Sequence, residues 1–529
     1  MAFSFWPFLF VPGEAYTFEQ NIMPLVNSFI SWLMKKRIHQ IELFTKYPHE
    51  VQEEWFKKLI KSGTDTEFGE KYSFHSIANI TDFKNRLPVT NYEQFFPYIK
   101  RIMNGEQNVT WPSGIRWFAK SSGTTNEKSK FIPVSTESLE DCHFKGGKDM
   151  LSIYCNNYSD TQIFTGKGLS LGGSHQTNQF NTESIYGDLS AIIIENLPFW
   201  VNLISTPDKS IALMDEWESK IRKMAEATMN VNVTNISGVP SWMLVLLKYM
   251  LNISGKTNIH EVWPNLEVFF HGAVNFDPYR KQFKSLVPSQ NMHYLETYNA
   301  SEGFFGIQDI PHSDELLLML DYGIFYEFLP IEEWENEHPE TIGLAEVQLN
   351  TNYAIVISTN AGLWRYKIGD TIKFTSLSPY RIRITGRTKH FMNAFGEEVI
   401  IENAQEALKI ACEKSDALIR EFTAAPVYME KNKKGGHEWL IEFEKTPENL
   451  GYFTEVLDNA LKAINSDYEA KRYKDLALQM PLVKKMPEKT FYKWMKSRGK
   501  LGGQNKVPRL ANDRKYVEEI LELIRSTKG

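Results

Sequence analysis

The chain of 529 residues carries 59 Lys and Arg against 65 Asp and Glu, a net charge of −6, and 42% of its residues are hydrophobic. This length exceeds the usual size of one hydrophobic core, so we expect two or more domains. The composition excludes a disordered chain, the acidic balance argues against a nucleic-acid-binding protein, and no stretch is long and apolar enough to predict a membrane span.

The first residues and the cysteines indicate a compartment. The segment 1–12 lacks the basic residues of a signal peptide, and two prolines interrupt its apolar run. Cys142, Cys155 and Cys412 are scattered without the spacing of a metal site, which suits a reducing environment. We therefore predict a cytoplasmic protein.

Helical and extended patterns alternate along much of the chain. Apolar positions between Val51 and Ser62 follow a helical stripe that Gly63 ends. Between about residues 116 and 375, β-branched and aromatic runs such as Glu267–Phe270 and Ala354–Ser358 alternate with helical patterns. This alternation predicts a mixed α/β architecture with more than one sheet.

A loop of small hydroxyl residues, Ser121–Thr125, lies between the strand-like segments Arg116–Lys120 and Lys130–Val134. Backbone N–H groups and hydroxyls in such a loop can hold phosphate oxygens, which points to nucleotide chemistry. The spacing of a Walker A loop is absent, so an ordinary strand-loop-helix nucleotide fold is not predicted. A polar hairpin turn remains the alternative, because Gly, Ser and Thr are common turn residues.

Two further segments offer groups for a nucleotide. Tyr298 and Glu302 lie four residues apart where a strand-like run ends, and they could face one ligand. An aromatic ring can pack on adenine, and a carboxylate can hold magnesium. Asp370, in the turn-like segment Gly362–Asp370, could accept hydrogen bonds from ribose hydroxyls, although a surface Asp in a turn is the alternative.

After Gly386-Arg387 the pattern changes to a small α+β unit, with a hinge expected near residues 386–397. Its elements are a helix at Glu402–Cys412, a strand, a turn at Lys431–Gly436, a strand at Trp439–Phe443, a helix capped by Thr446-Pro447, a strand near Leu476–Val483 and a helix at Tyr516–Ile524. Between residues 481 and 510 there are nine Lys or Arg against Glu488. This run is either a solvated face or a lid that brings cations to a polyphosphate, with Lys506 on its glycine-led loop.

Four segments occur in an order and spacing that closely resemble the auxin-responsive acyl-acid amido synthetases, in their bacterial branch. The segments are Ser121–Thr125, Tyr298–Glu302, Arg365–Asp370 and Gln504–Arg509. These enzymes belong to the adenylate-forming superfamily with firefly luciferase. The resemblance implies an α/β fold with a large multi-sheet N-terminal adenylate-forming domain, residues 1–388, and a smaller C-terminal α+β lid domain, residues 389–529. The sequence departs from the plant pattern around the hinge, and the plant acyl-pocket residues do not map onto it.

The same resemblance implies ATP and Mg²⁺ as cofactors and a role for each matched residue. Lys506 would be the catalytic lysine, Tyr298 would pack on adenine, Asp370 would hold the ribose, and Glu302 would bind the metal. The implied ATP-binding residues are Ser121, Ser122, Gly123, Thr124, Thr125, Tyr298, Ser301, Glu302, Asp370 and Arg387.

The implied reaction adenylates a carboxylic acid, releasing pyrophosphate, and transfers the acyl group to the amine of an amino acid. Two alternatives share the fold: a ligase that hands the acyl group to a thiol such as coenzyme A, and a non-catalytic nucleotide-binding homologue. The partners would be small molecules, with neither nucleic acid nor membrane, and we expect a monomer.

A different class is suggested by Gly168–Gly172, which fits the G-x-S-x-G nucleophile elbow of serine hydrolases. That motif requires a strand before the serine and a helix after it. The following residues, 173–178, are polar and lack a helical stripe, so we do not expect a hydrolase.

Overall fold

The computed structural model describes residues 27–28, 30–122, 129–173, 178–179, 181, 183–214, 216–274, 276–334, 336–387, 391–429, 435–472, 478–498 and 507–528. Helices and strands alternate over most of residues 116–375, as the sequence predicts. No helix in the described part is both long enough and apolar enough to cross a membrane.

The α-helices alternate with strands in the middle of the chain and cluster at its beginning. In chain order they are α1 (Ile38–Lys46), α2 (Pro48–Gly63), α3 (Glu67–Lys71), α4 (Ile80–Arg86), α5 (Tyr92–Met103), α6 (Thr136–Ser138), α7 (Lys145–Asn157), α8 (Leu189–Asn196), α9 (Lys209–Ala212), α10 (Trp217–Thr228), α11 (Pro240–Ser254), α12 (Asp277–Leu286), α13 (Ile401–Ser415), α14 (Leu450–Ile464), α15 (Ser466–Arg472), α16 (Thr490–Ser497) and α17 (Lys515–Lys528). The helix predicted between Val51 and Ser62 is α2, which begins three residues earlier because Pro48 suits the first helical turn.

The strands form a four-stranded sheet, an eleven-stranded sheet, a two-stranded pair and a three-stranded sheet. They are β1 (Trp117–Ser122), β2 (Ser129–Val134), β3 (Lys167–Leu171), β4 (Asn178–Gln179), β5 (Ile185–Gly187), β6 (Ser205–Thr206), β7 (Val233–Gly238), β8 (Val268–Gly272), β9 (His293–Ala300), β10 (Gly303–Ile307), β11 (Leu316–Leu318), β12 (Ile324–Pro330), β13 (Asn352–Thr359), β14 (Tyr366–Leu377), β15 (Tyr380–Arg387), β16 (Phe391–Met392), β17 (Val399–Ile400), β18 (Leu418–Val427), β19 (Gly436–Lys445) and β20 (Leu482–Lys485). The predicted mixed α/β architecture with several sheets is confirmed.

The large sheet has two halves of different character, in the order β12-β13-β14-β15-β11-β10-β9-β8-β7-β3-β6. Strands β6, β3, β7, β8 and β9 pair in parallel, and the remaining neighbours pair antiparallel. Parallel strands need helical crossovers, which α10, α11 and α12 supply in turn. Two hydrophobic cores cover this sheet, one gathered around the antiparallel half and one between the parallel strands and these helices.

The residues after the hinge have cores of their own. One lies between α13, α14 and the sheet β18-β19-β20, and another lies under α16 and α17. The predicted α13, the β18–β19 pair and α17 are present. The helix expected after Thr446 begins at Leu450 instead, because the side chain of Asn449 accepts the Tyr452 N–H and caps it.

The two sets of cores meet through a short seam. The hydroxyl of Tyr279 on α12 donates to the Ala394 carbonyl. The Ser241 hydroxyl and the Trp242 indole on α11 both donate to the Phe395 carbonyl, at 3.3 and 3.2 Å. This seam holds the segment after β16 against the large sheet, inside the predicted hinge. The domain boundary between residues 388 and 389 stays a prediction.

Candidate active site

A large cavity of about 2430 Å³ opens where the parallel strands end. The residues that directly follow β3, β7, β8 and β9 all line it, and they include Gly172, Val239, Ala273 and Ser301. Ligands of open α/β sheets bind at this edge, because the strand ends leave a crevice there. Residues of the smaller C-terminal part, between 393 and 512, also line the cavity.

Tyr298 and Asp370, predicted separately as adenine and ribose contacts, are directly joined. The Tyr298 hydroxyl donates a 2.6 Å hydrogen bond to Oδ2 of Asp370. Both line the cavity although they are only 5% and 8% exposed, and the ring of Phe305 packs on Tyr298 with a centroid distance of 4.9 Å. A charged acceptor makes such a bond short and strong, so the carboxylate has a fixed orientation.

This contact requires the large sheet to curl. Tyr298 lies on β9 and Asp370 on β14, with β15, β11 and β10 between them in the sheet. Four strand spacings correspond to about 19 Å along a flat sheet. The hydrogen bond is possible because twist and coiling bring one face of the antiparallel half back over β9.

Ser301 and Glu302 lie in the turn between β9 and β10, and both are half-buried at the cavity wall. Within the described part of the chain, His, Cys, Asp and Glu side chains form no group of three that could hold a metal ion. A magnesium ion on a nucleotide needs only one or two carboxylates, since phosphates and waters complete its shell. The single carboxylate of Glu302 on the wall of this cavity fits that requirement.

The predicted phosphate loop starts later than expected. Ser121 and Ser122 are the last residues of β1 rather than loop residues, because they pair in register with Lys130 and Ser129 of β2. Lys120, Ser121 and Lys130 line the cavity. Gly123, Thr124 and Thr125 lie outside the described residues, so the hairpin β1–β2 defines the position of the loop but not its shape.

Two other predicted residues are placed only in part. Arg387 ends β15 with its backbone opposite Asp370, and its side chain lies outside the described part. Lys506 also lies outside the described residues. The chain just beyond it is anchored, because the Ala424 N–H on β18 donates to the Arg509 carbonyl.

Arg365, although part of the matched Arg365–Asp370 segment, is a structural residue. Its guanidinium is buried and donates to Glu327 at 2.9 Å, to Thr341 and to the Leu87 carbonyl. The residue has a φ of 45°, a left-handed conformation that is uncommon outside glycine. These bonds hold the turn before β14 and therefore the strand that carries Asp370.

The nucleophile-elbow alternative is wrong on geometry. Ser170 lies inside β3, between β6 and β7, and its hydroxyl is hydrogen-bonded to that of Ser237 at 2.7 Å. No helix starts after Leu171 among the residues that the structure describes there; the strand is followed by Gly172 and Gly173. The motif therefore lacks the strand-turn-helix geometry that a nucleophile elbow needs.

Sequence reasoning missed two buried histidines in the cavity wall, His143 and His271. Burial lowers the pKa of His143 to about 4 and that of His271 to about 3, so both rings are neutral near pH 7. Nδ1 of His271 is buried without a hydrogen-bond partner among the described residues, whereas the His143 ring lies near the Asn299 side chain. Neither belongs to a recognisable motif, and only the fold brings them to the strand ends.

A charged group at the small-domain side was also missed. Lys120 and Asp188 of the large domain face Glu398, Asp467 and Lys471 of the small domain across the cavity. Asp467 and Lys471 lie four residues apart on α15, and such spacing is equally common on solvated helices. No signal in the sequence distinguishes this face from an exposed one.

The sequence was compared with protein families and with characterised relatives. Residues 37–292 match the GH3 family N-terminal domain, residues 317–387 its central domain and residues 402–515 its C-terminal domain. The chain belongs to the GH3 family. The indole-3-acetic acid-amido synthetase GH3.3 of Arabidopsis thaliana is 22% identical, with 93% of each chain covered. The jasmonoyl--L-amino acid synthetase JAR6 of Nicotiana attenuata is 24% identical over 90% of this chain and 93% of its own.

Solved structures give the same fold. The AtGH3.15 acyl acid amido synthetase in complex with 2,4-DB matches with a TM-score of 0.60 and 17% identity, covering 92% of this chain and 96% of its own. A 2-hydroxyisobutyryl-CoA ligase in its thioesterification state matches with a TM-score of 0.52 and 11% identity, covering 90% and 92%. The GH3 fold of this chain is therefore that of adenylate-forming ligases, with a large N-terminal part and a smaller C-terminal part.

Proposed function

We propose that this GH3 protein is an ATP-dependent acyl-acid amido synthetase, which joins a carboxylic acid to an amino acid through an acyl-adenylate. The observation that carries the proposal is the Tyr298–Asp370 pair, buried in the same cavity as Glu302 at the carboxyl ends of the parallel strands. Family membership supports it, since relatives over most of their length are amido synthetases.

The first half-reaction needs positioning and neutralisation of charge on the α-phosphate. Asp370, oriented by Tyr298, accepts hydrogen bonds from the ribose hydroxyls, and the Tyr298 ring lies against the adenine. Ser121, Ser122, Gly123, Thr124 and Thr125 hold phosphate oxygens, with Ser301 and Arg387 close to the nucleotide. The Mg²⁺ held by Glu302 would neutralise phosphate charge, and the Lys506 ammonium stabilises the charge that develops as the substrate carboxylate attacks phosphorus.

The second half-reaction replaces AMP by an amine. Adenylation gives the acyl group a good leaving group, and the nitrogen lone pair of the amino acid then attacks the acyl carbon. The C–N bond forms, the bond between the acyl carbon and the phosphate oxygen breaks, and AMP leaves with that electron pair. The products are an amide and AMP.

The acid has an apolar body, because one side of the cavity is aliphatic. This wall comes from α8 and the residues that follow it. Its members are Leu189, Ile193, Ile194, Leu197, Val201 and Ile204. Such a wall favours contact with apolar substrate carbons. Its aliphatic side chains provide neither an ionic nor a hydrogen-bond partner for a second charged group.

The proposal is tested by ATP–pyrophosphate exchange with a panel of carboxylic acids, followed by mass identification of the product with amino acids or with coenzyme A. Exchange with an apolar acid and formation of its amide are expected. A thioester in place of the amide would assign the thiol-transferring alternative. Absence of exchange with every acid would favour a non-catalytic nucleotide-binding protein.

A further inference from the structure

The charged group at the small-domain side contains a carboxylate that the adenylation step does not use. Asp467 is half-buried on α15 and lines the cavity. Its surroundings come from four separate parts of the fold. They are Lys471 on the same helix, Glu398 before β17, Asp188 before α8, and Lys120 on β1. Lys120 directly precedes the predicted phosphate loop, so the group lies between that loop and the small domain.

The helix that carries Asp467 is fixed by buried hydrogen bonds. The buried hydroxyl of Tyr468 donates to Asp458 at 2.7 Å, and the guanidinium of Arg472 donates to the same carboxylate at 2.6 Å. The Asn465 side chain begins the helix, accepting the Tyr468 N–H at 2.8 Å and donating to the Glu398 carbonyl at 3.1 Å. Asp467 therefore projects from a fixed backbone, as a group that acts on a substrate must.

Lys471 connects this helix to the large domain. It is 8% exposed, and its Nζ lies 3.9 Å from the ring centroid of Trp242. The Trp242 indole in turn donates to the Phe395 carbonyl at the seam. Residues four apart on a helix share one face, so Lys471 and Asp467 lie on the same face of α15, and the Lys471 ammonium is fixed by a cation–π contact across the seam.

The electrostatics of the group suit proton transfer near neutral pH. Burial raises the pKa of Asp467 to about 7; Glu398 and Asp188 add to this rise, whereas Lys471 and Lys120 oppose it. Burial lowers the pKa of Lys471, against the effect of Asp467, Asp188, Glu397 and Glu398. A proton acceptor works best when its pKa lies near the working pH.

The balance of charge favours a cationic ligand. Four carboxylates, Asp188, Glu398, Asp467 and Glu469, line this part of the cavity with two ammonium groups, those of Lys120 and Lys471. Excess carboxylate attracts the ammonium group of an amino acid and disfavours the phosphate groups that coenzyme A carries.

We propose that Asp467 receives the proton which the acceptor amine loses before it attacks the acyl-adenylate, and that Lys471 is a positioning residue for this carboxylate. The proposal rests on the proposed amido synthetase function. An ammonium group has no lone pair, so one N–H bond must break first, and its proton passes to Asp467 and then to water. The freed lone pair forms the C–N bond, the remaining excess proton leaves nitrogen for solvent, and AMP departs with the electrons of the broken C–O bond.

The test separates the two half-reactions in the Asp467→Asn variant of the full chain. ATP–pyrophosphate exchange is expected to stay within about twofold of wild type, while amide formation with an amino acid falls about 100-fold or more, the usual contribution of a positioned base. Hydroxylamine, whose nitrogen is largely unprotonated at neutral pH, is expected to react with the adenylate at the wild-type rate. Asp467→Glu should restore part of the transfer to the amino acid.

The pH profile gives a readout that a purely structural role would not change. The carboxylate must be ionised, so wild-type transfer should fall as pH drops through about 7, and Asp467→Asn should lose this step. Lys471→Met removes a nearby cation, so the step should move to higher pH. Glu455→Gln, an exposed carboxylate on α14, is the matched control and should behave as wild type.

Each contrary result has a distinct meaning. Equal losses with the amino acid and with hydroxylamine would overturn the proton-transfer role, as would unchanged amide formation in Asp467→Asn. A pH step that does not move in Lys471→Met would overturn the positioning role. Absence of exchange in the wild-type protein itself would instead refute the proposed function.

Discussion

The hydrogen bond between Tyr298 and Asp370 allows a quantitative test of the nucleotide site. Tyr298→Phe removes only the hydroxyl that donates to the carboxylate at 2.6 Å, and both side chains are buried. A hydrogen bond to a charged group contributes about 1.5–3 kcal/mol. We expect the free energy of unfolding to drop by about that amount.

The same change should weaken catalysis, because the carboxylate loses the donor that orients it toward the ribose. If the full energy is lost from nucleotide binding in the transition state, kcat/KM for ATP falls about 10- to 150-fold. Pyrophosphate exchange at varied ATP concentration measures kcat/KM, and urea unfolding measures stability.

Tyr326→Phe is the matched control. Its buried hydroxyl donates to a neutral acceptor, the Met319 carbonyl, at 3.1 Å, so it should cost about 1 kcal/mol of stability and leave kcat/KM unchanged. If Tyr298→Phe loses stability but keeps kcat/KM for ATP, the pair holds the sheet together and does not hold the nucleotide. If Tyr298→Phe loses neither stability nor kcat/KM for ATP, the hydrogen bond makes no measurable contribution to either.

Three other changes test separate parts of the structure. Lys506→Ala should lower adenylation by about two or more orders of magnitude with little change in unfolding, and unchanged pyrophosphate exchange would remove the lysine from the mechanism. Arg365→Met leaves the buried Glu327 carboxylate without its partner, so thermal or urea unfolding should show a loss of about 3–5 kcal/mol; a loss under 1 kcal/mol would contradict the structural role. Ser170→Ala should keep most of the exchange activity although the residue lines the cavity, because its hydroxyl is hydrogen-bonded to that of Ser237, and a fluorophosphonate probe should label neither protein.

Local patterns predicted the elements well where neighbours in sequence decide them. The stripe ending at Gly63 predicts α2, and the apolar run Ala354–Ser358 predicts β13. Errors occur where one local choice competes with another. Thr446-Pro447 resembles a helix start, but Asn449 provides the actual cap, and strand pairing with β2 extends β1 into the predicted loop as far as Ser122.

The sequence predicts a set of site residues whose roles stay predictions, and it does not predict their arrangement. Tyr298, Glu302 and Asp370 follow from the resemblance to the family, and the family assignment is confirmed by the GH3 domains found along the chain. The hydrogen bond between Tyr298 and Asp370 depends on the curl of a sheet across three intervening strands, which no local pattern encodes. The sequence does not indicate Asp467 and Lys471 for the same reason. Their face of α15 lines the cavity only because the helix docks there.

Asp370 and the aliphatic wall belong to different sheets of the structure. Asp370 is anchored in the antiparallel half of the large sheet through β14 and the Arg365 turn, whereas the aliphatic wall belongs to α8, which packs on β1 and β5 of the four-stranded sheet, and to the chain beyond it. Substitutions in that wall can alter which acid fits without disturbing the strand that carries Asp370. Proteins with this architecture can therefore differ in the acids that they accept while their use of ATP stays the same.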